Sequence, residues 1–172
     1  MNMPTSYTTT SVPVERSKEK IRQLLIKFGA RGVQFAESFD TGEINVRFAK
    51  DVDSQLRTVS VTMIVPDPPQ PKRARRRRQR WVRGRIVYDK SPQEKKEQMA
   101  RATYRALHYW LKSQFEAVEF GLLTFEDVFL SHFEWMVDGR RSTIGAFIKP
   151  RLSSGNLLAA PSDDAIEGKI IR

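Results

Sequence analysis

The chain contains no cysteine, which excludes structural disulfides and thiolate metal centres and fits a reducing, cytosolic compartment best. Its only histidines, His108 and His132, are by themselves too few for a zinc site. No apolar run approaches the ~20 residues that a membrane-spanning helix needs. The first residues carry neither the basic nor the apolar region of a signal peptide. There is no internal repeat at solenoid periods. The nucleophile elbow G-x-S-x-G, the P-loop and the dinucleotide fingerprint G-x-G-x-x-G are all missing. These absences remove the commonest hydrolase, nucleotidase and dehydrogenase readings and imply no cofactor.

One further absence is local. No acidic residue stands between Asp67 and Asp89. In that gap, residues 72–85 hold nine cations among fourteen positions: Lys72, Arg73, Arg75, Arg76, Arg77, Arg78, Arg80, Arg83 and Arg85. The net charge of the chain is +10, and setting these nine aside leaves +1. The sequence therefore describes a nearly neutral body with one positive arm. Guanidinium groups this close repel one another and cannot all be paired internally, so the arm belongs in solvent, facing a polyanion. Nucleic acid is the matching partner: phosphates neutralise the arginines, and Trp81, with Tyr88 nearby, can stack on an unpaired base. Such a run carries no base code by itself.

Blander readings exist: a solvated charge loop, a grip on an acidic protein surface, or a nuclear localisation stretch, which Pro71 to Arg78 resembles. A membrane surface fits less well, because the arm offers almost no apolar face to insert.

A length of 172 residues suits one domain with a real core. Residues 1–6 read as a disordered end and Tyr7 to Val14 as a short strand. Ser17 offers an N-cap to a helix whose stripe is Ile21, Leu24, Leu25 and Phe28, with Gly29 as its stop. Period-two alternation follows in three runs: Val33 and Phe35, then Ile44, Val46 and Phe48, then Val59, Val61, Met63 and Val65. Polar turns at 40–42 and 51–54 separate them, which predicts an antiparallel meander. Pro66, Pro68, Pro69 and Pro71 end the third strand and stiffen the approach to the arm. Ile86, Val87 and Tyr88 read as a short strand or as an anchor.

Ser91-Pro92-Gln93-Glu94 is a capping box with proline at the first helical position. It opens a helix of about 30 residues, a rod of ~45 Å, with Met99, Thr103, Ala106, Leu107, Trp110, Leu111, Phe115 and Val118 on one stripe and Gly121 past its end. Thr124 to Asp127 repeats the capping pattern. Residues 138–141 read as a hairpin turn, and Thr143 to Ile148 as a helical turn or strand. The fold class predicted is α+β: a three- to four-stranded antiparallel sheet packed by two main helices, with a flexible basic loop inserted before the long second helix. The domain spans 7–152, with the inserted loop at 66–90, and 153–172 reads as a flexible tail with Leu157 and Leu158 as a late contact.

The remaining chemistry is sparse. His108 and His132 read as partly buried, satisfied side chains. Glu116, Glu119, Glu126 and Asp127 could hold Mg²⁺ in a nuclease, but a solvated helix face explains the first pair and helix capping the second. Trp110, Phe115, Phe125, Phe129, Phe133 and Trp135 match buried helix faces better than a stacking platform. The reading is a non-enzymatic protein that binds DNA or RNA electrostatically through residues 72–85. The alternatives are an inhibitor or regulator that binds another protein and a metal-dependent nuclease.

Several short pieces also occur together in this order: Val12-Pro-Val-Glu-Arg-Ser17, Lys27-Phe-Gly-Ala30, Val65-Pro-Asp-Pro68, a basic loop, Tyr104-Arg-Ala-Leu107, Phe115-Glu-Ala-Val-Glu119, Thr124 to His132 and Asp138-Gly-Arg140. From Tyr7 to about residue 152 this resembles a family of small bacteriophage- and prophage-encoded proteins with no assigned activity. The chain departs from the family pattern in having Tyr104 where a tryptophan is expected, and in a more basic arm. The resemblance implies an accessory protein in a bacterial cytoplasm, where nucleic-acid handling is a plausible task and where an inhibitor or regulator would bind a host or phage protein, and it carries over no catalytic residue.

Overall fold

The computed structural model describes residues 7, 9–68, 79–82, 85–88, 91–137 and 139–154. Residues 1–6 and 155–172, including Leu157 and Leu158, lie outside the described residues, as does most of the arm. The predicted α+β class holds. The three alternating runs form β1 (Ala30–Ser38), β2 (Glu43–Val52) and β3 (Gln55–Ile64), an antiparallel meander in the order β1-β2-β3. Register pairs Val46 with Val61 and Phe48 with Val59, so the β-branched and aromatic residues share one face. Asp53 and Ser54, both at positive φ, form the two-residue turn between β2 and β3, the geometry that matches strand twist. Beyond β3, Phe133 makes a single antiparallel bridge to Val59, which among the described residues is all of the fourth strand that the main sheet acquires.

Two helices cover the apolar face. Helix α1 runs from Val14 to Lys27 and α2 from Pro92 to Glu119. They lie side by side in the same direction, since Lys18 stands over the Tyr104 ring and Lys27 reaches Glu119. Ile21 and Leu25 from α1, and Tyr104, Leu107, Leu111 and Phe115 from α2, are buried against Ile44, Val46, Phe48, Val59 and Val61. Gly29 and Gly121 sit at positive φ just past the two helices and stop them as expected. The capping box Ser91–Glu94 is present in both directions, and so is Thr124–Asp127 at the start of α3 (Phe125–Phe129). A 3₁₀ turn (Leu130–His132) leads into a second hairpin, β6 (Glu134–Val137) with β7 (Arg140–Thr143), and then α4 (Ile144–Ser153).

Four expectations need correction. Tyr7 to Val14 is not a strand. Tyr7 has φ +65° and Val14 already belongs to α1, with Pro13 at its N-cap. Proline lacks the N–H for a ladder and its fixed φ suits a helix start, so the helix begins earlier than Ser17. Ser17 is instead fully buried inside α1, and its hydroxyl has no hydrogen-bond partner among the described residues. On α2, Ala106 is exposed, while Gln98, Ala102 and Tyr104 are buried, because α1 and the incoming segment 9–12 pack on that flank. Gln98 donates to the Thr10 carbonyl at 2.7 Å there. Finally, Trp135 is not core. It is 41% exposed and stands edge-on to Phe147 of α4. The other aromatics predicted as core pack as a cluster, with Phe129 against Phe48, Phe115, Phe125 and Trp110.

Candidate nucleic-acid interface

The arm leaves the domain at one end of β3 and returns at the cap of α2. Val65 donates to the Gly42 carbonyl at 2.8 Å at the exit, and the Ser91–Glu94 box fixes the return. Of the predicted contact residues, Lys72, Arg73, Arg75, Arg76, Arg77, Arg78 and Arg83 lie outside the described residues. Arg80 and Trp81 fall in β4 (Gln79–Val82) and Arg85 opens β5 (Arg85–Tyr88). These strands pair antiparallel, Arg80 with Val87, Trp81 with Ile86 and Val82 with Arg85. The end of the arm nearest α2 is thus a two-stranded ribbon, and 86–88 is a strand, not a bare anchor. Directly paired residues share a face of a ribbon. The sequence reading had the charge but not this pairing of 79–82 with 85–88.

On the body, three of the four acids considered for metal binding are engaged elsewhere, and Glu126 stands in the first turn of α3. Glu116 pairs with Lys112 at 3.4 Å and Glu119 with Lys27 at 3.7 Å. Asp127 accepts from Thr124 at its cap, and these hydrogen bonds hold its carboxyl below the usual range. Among the described residues no three His, Asp or Glu side chains are grouped closely enough to hold a metal ion. Nor is any helix among them long and apolar enough to cross a membrane.

The two histidines differ. His132 keeps a hydrogen bond to the Ser60 main chain, yet burial, with the charge of Lys149, lowers its pKa. His108 is less satisfied than expected: its Nδ1 is buried without a described partner. Burial first, then the fields of Arg105, Lys20 and Lys112, hold it below its ordinary value. Both rings are therefore neutral at pH 7.

Sequence reasoning missed the Tyr104 network. The Tyr104 hydroxyl donates to Glu37, and Lys18 reaches the same carboxylate at 2.7 Å while also bonding Glu15 at 3.1 Å. Burial would raise the pKa of Glu37, but the hydrogen bonds from Lys18 and Tyr104 outweigh it and hold it low. Burial would lower that of Lys18, but its two carboxylate partners outweigh this and hold it high. Burial and the Glu37 carboxylate together push the Tyr104 phenol far above its usual range. The signal was available in the strand parity, because Glu37 shares the face of Val33 and Phe35. This network is a structural clasp between α1, β1 and α2.

The opposite face of the sheet is polar. Asn45 donates to Ser60 and Thr62, both at 2.8 Å. Arg47 grips Oε2 of Glu134 through Nε at 2.9 Å and through a terminal nitrogen at 2.7 Å. Between this face, the 3₁₀ turn and the start of α4 lies a cleft of about 530 Å³. Comparisons with protein-family models, with curated proteins and with solved structures match nothing to this chain.

Proposed function

We propose that the chain is a non-enzymatic nucleic-acid-binding protein whose Arg-rich arm grips the phosphate backbone. The observation that carries this reading is the charge window: nine cations and no acid within residues 72–85, on a body of net charge +1. The pairing of β4 with β5 supports it, because a two-stranded ribbon is a shape that enters a nucleic-acid groove. We read its setting, from the family it resembles, as an accessory role in a phage-infected bacterial cytoplasm. The binding is electrostatic and low in sequence specificity.

A salt titration against single- and double-stranded DNA and RNA tests this. With about six phosphates engaged, log K against log salt should slope near −4 to −5. Changing Arg75, Arg76, Arg77 and Arg78 to Ser should flatten the slope and weaken every nucleic acid similarly. Affinity unchanged by those four substitutions overturns the proposal, whereas a pull-down partner that survives nuclease treatment would favour a protein target.

A further inference from the structure

The cleft on the polar face of the sheet is built from distant parts of the chain. Thr62 comes from β3, Ser131 and His132 from the 3₁₀ turn, Arg141 and Ser142 from β7, and Lys149 from α4. Its volume, about 530 Å³, lies within the range of small-ligand sites. Two acids also line it, and they count differently. Glu134 is largely buried and held by Arg47, so its charge is already matched. Glu43 is exposed at the rim. Arg141 and Lys149 form no ion pair with any described residue. The cleft thus keeps a small positive surplus among hydroxyls and a neutral imidazole.

The start of α4 adds little to that surplus. Its Ile144 N–H is spent on the Phe133 carbonyl at 3.0 Å, and its Ala146 N–H on the Thr143 hydroxyl at 3.2 Å. The cations, not the helix end, set the sign. This chemistry suits a phosphate beside a sugar or a base edge: ammonium and guanidinium for the anion, and hydroxyls and imidazole for the polar remainder. Position points the same way. Glu43 pairs with Ile64, the last residue of β3, and Thr62 is two residues before it. The cleft therefore lies at the root of the arm.

We propose that this cleft is a subsite for one phosphate-bearing terminal nucleotide of a strand whose following phosphates lie on the arm. The proposal rests on the arm reading and adds an end preference to it. Short oligothymidylates carrying a 5′-phosphate, a 3′-phosphate or neither, each with a fluorophore at an unphosphorylated end, test it by anisotropy. One phosphorylated form should bind about fivefold more tightly than the unphosphorylated one, the size of a solvent-exposed charge contact. The double variant Arg141→Gln, Lys149→Gln should erase that difference. It should leave the affinity and salt slope of the unphosphorylated strand intact, along with the unfolding midpoint. No end preference in the unaltered protein, or one that survives the double variant, overturns the subsite. If no oligonucleotide binds, the arm reading has failed on its own, and an NMR titration with thymidine monophosphate decides the cleft. Amide shifts at Ser131, Ser142 and Lys149 then sustain it, and their absence refutes it.

Discussion

Gly145 sets two opposed effects against each other. It lies inside α4, where replacing glycine by alanine ordinarily stabilises a protein by up to about 1 kcal/mol, because the unfolded chain loses less freedom. Here, however, a Cβ on Gly145 would stand 2.6 Å from the Ser131 carbonyl oxygen and 3.2 Å from the Ser131 Cβ. The first neighbour is backbone, so no side chain can swing aside. Either α4 or the 3₁₀ turn must retreat by a good fraction of an ångström, and such overpacking costs roughly 1–3 kcal/mol. The clash should win, and Gly145→Ala should lose a net ~1–2 kcal/mol. Gly32→Ala is the control, since a Cβ there meets nothing within 4 Å and needs no unusual φ. Urea unfolding of both variants reads the result as a shift in midpoint at constant slope. For a chain of this length, 1 kcal/mol is worth about 2–4 °C in melting temperature. Gly145→Ala as stable as the parent, or a loss equal to that of Gly32→Ala, would refute the reasoning. It would mean that α4 does not press on the turn that forms the cleft.

The remaining predictions concern titration. Both histidines have folded pKa values below the ordinary 6.5. The unfolded chain therefore takes up protons first, and stability, full above that pH, should fall as pH drops through the folded values. His132→Gln should reduce the acid loss in melting curves, and an unchanged pH profile for both His132→Gln and His108→Gln would contradict the stated burial. In the alkaline range the Tyr104 phenol and the Lys18 ammonium hold their protons in the folded state above 10.0 and 10.5, their ordinary values. Their stabilisation is full below those values and should be lost as pH rises through the folded ones. Tyr104→Phe should cost about 0.5–1.5 kcal/mol at pH 7 and decline less steeply above pH 10. An alkaline limb identical to that of the parent would place the clasp elsewhere.

Local chemistry was legible in the sequence and long-range chemistry was not. The box at Ser91, Pro92 and Glu94 writes its own geometry within one turn, and the strand alternation at Ile44, Val46 and Phe48 follows from a sheet wet on one side. The start of α1 was misjudged because two caps competed. Ser17 has the favoured side chain, yet Pro13 sets the backbone first. Glu134 and Arg47 are 87 residues apart, and Tyr104 and Glu37 are 67 apart, so only the fold brings them together. The same holds for Arg141 and Lys149. In sequence they read as a hairpin turn and the face of a short helix, and it takes the bridge of Phe133 to Val59 and the grip of Arg47 on Glu134 to bring them beside the sheet. Clusters of like charge and pairs one helical turn apart are visible in one dimension, but unlike charges far apart in the chain meet visibly only in three.

That asymmetry bears on where the arm finds its counter-charge. On the described body, Glu15 and Glu37 are taken by Lys18, Glu19 by Arg22, Asp51 by Arg31 and Glu97 by Arg101. Glu116, Glu119 and Glu134 are taken by Lys112, Lys27 and Arg47. Glu94 and Asp127 serve as caps. Each surface pair is worth little, about 0–1 kcal/mol, so no single one bars an arginine from intruding. The count is what decides. An arginine of the arm that displaced a body cation would free one positive charge for each it neutralised, leaving the surplus where it began. A body of net +1 cannot discharge nine clustered cations by exchanging partners. Whatever the internal pairing, the chain keeps a surplus of +10 that its own carboxylates cannot balance, and a phosphate chain is one source of the missing anions.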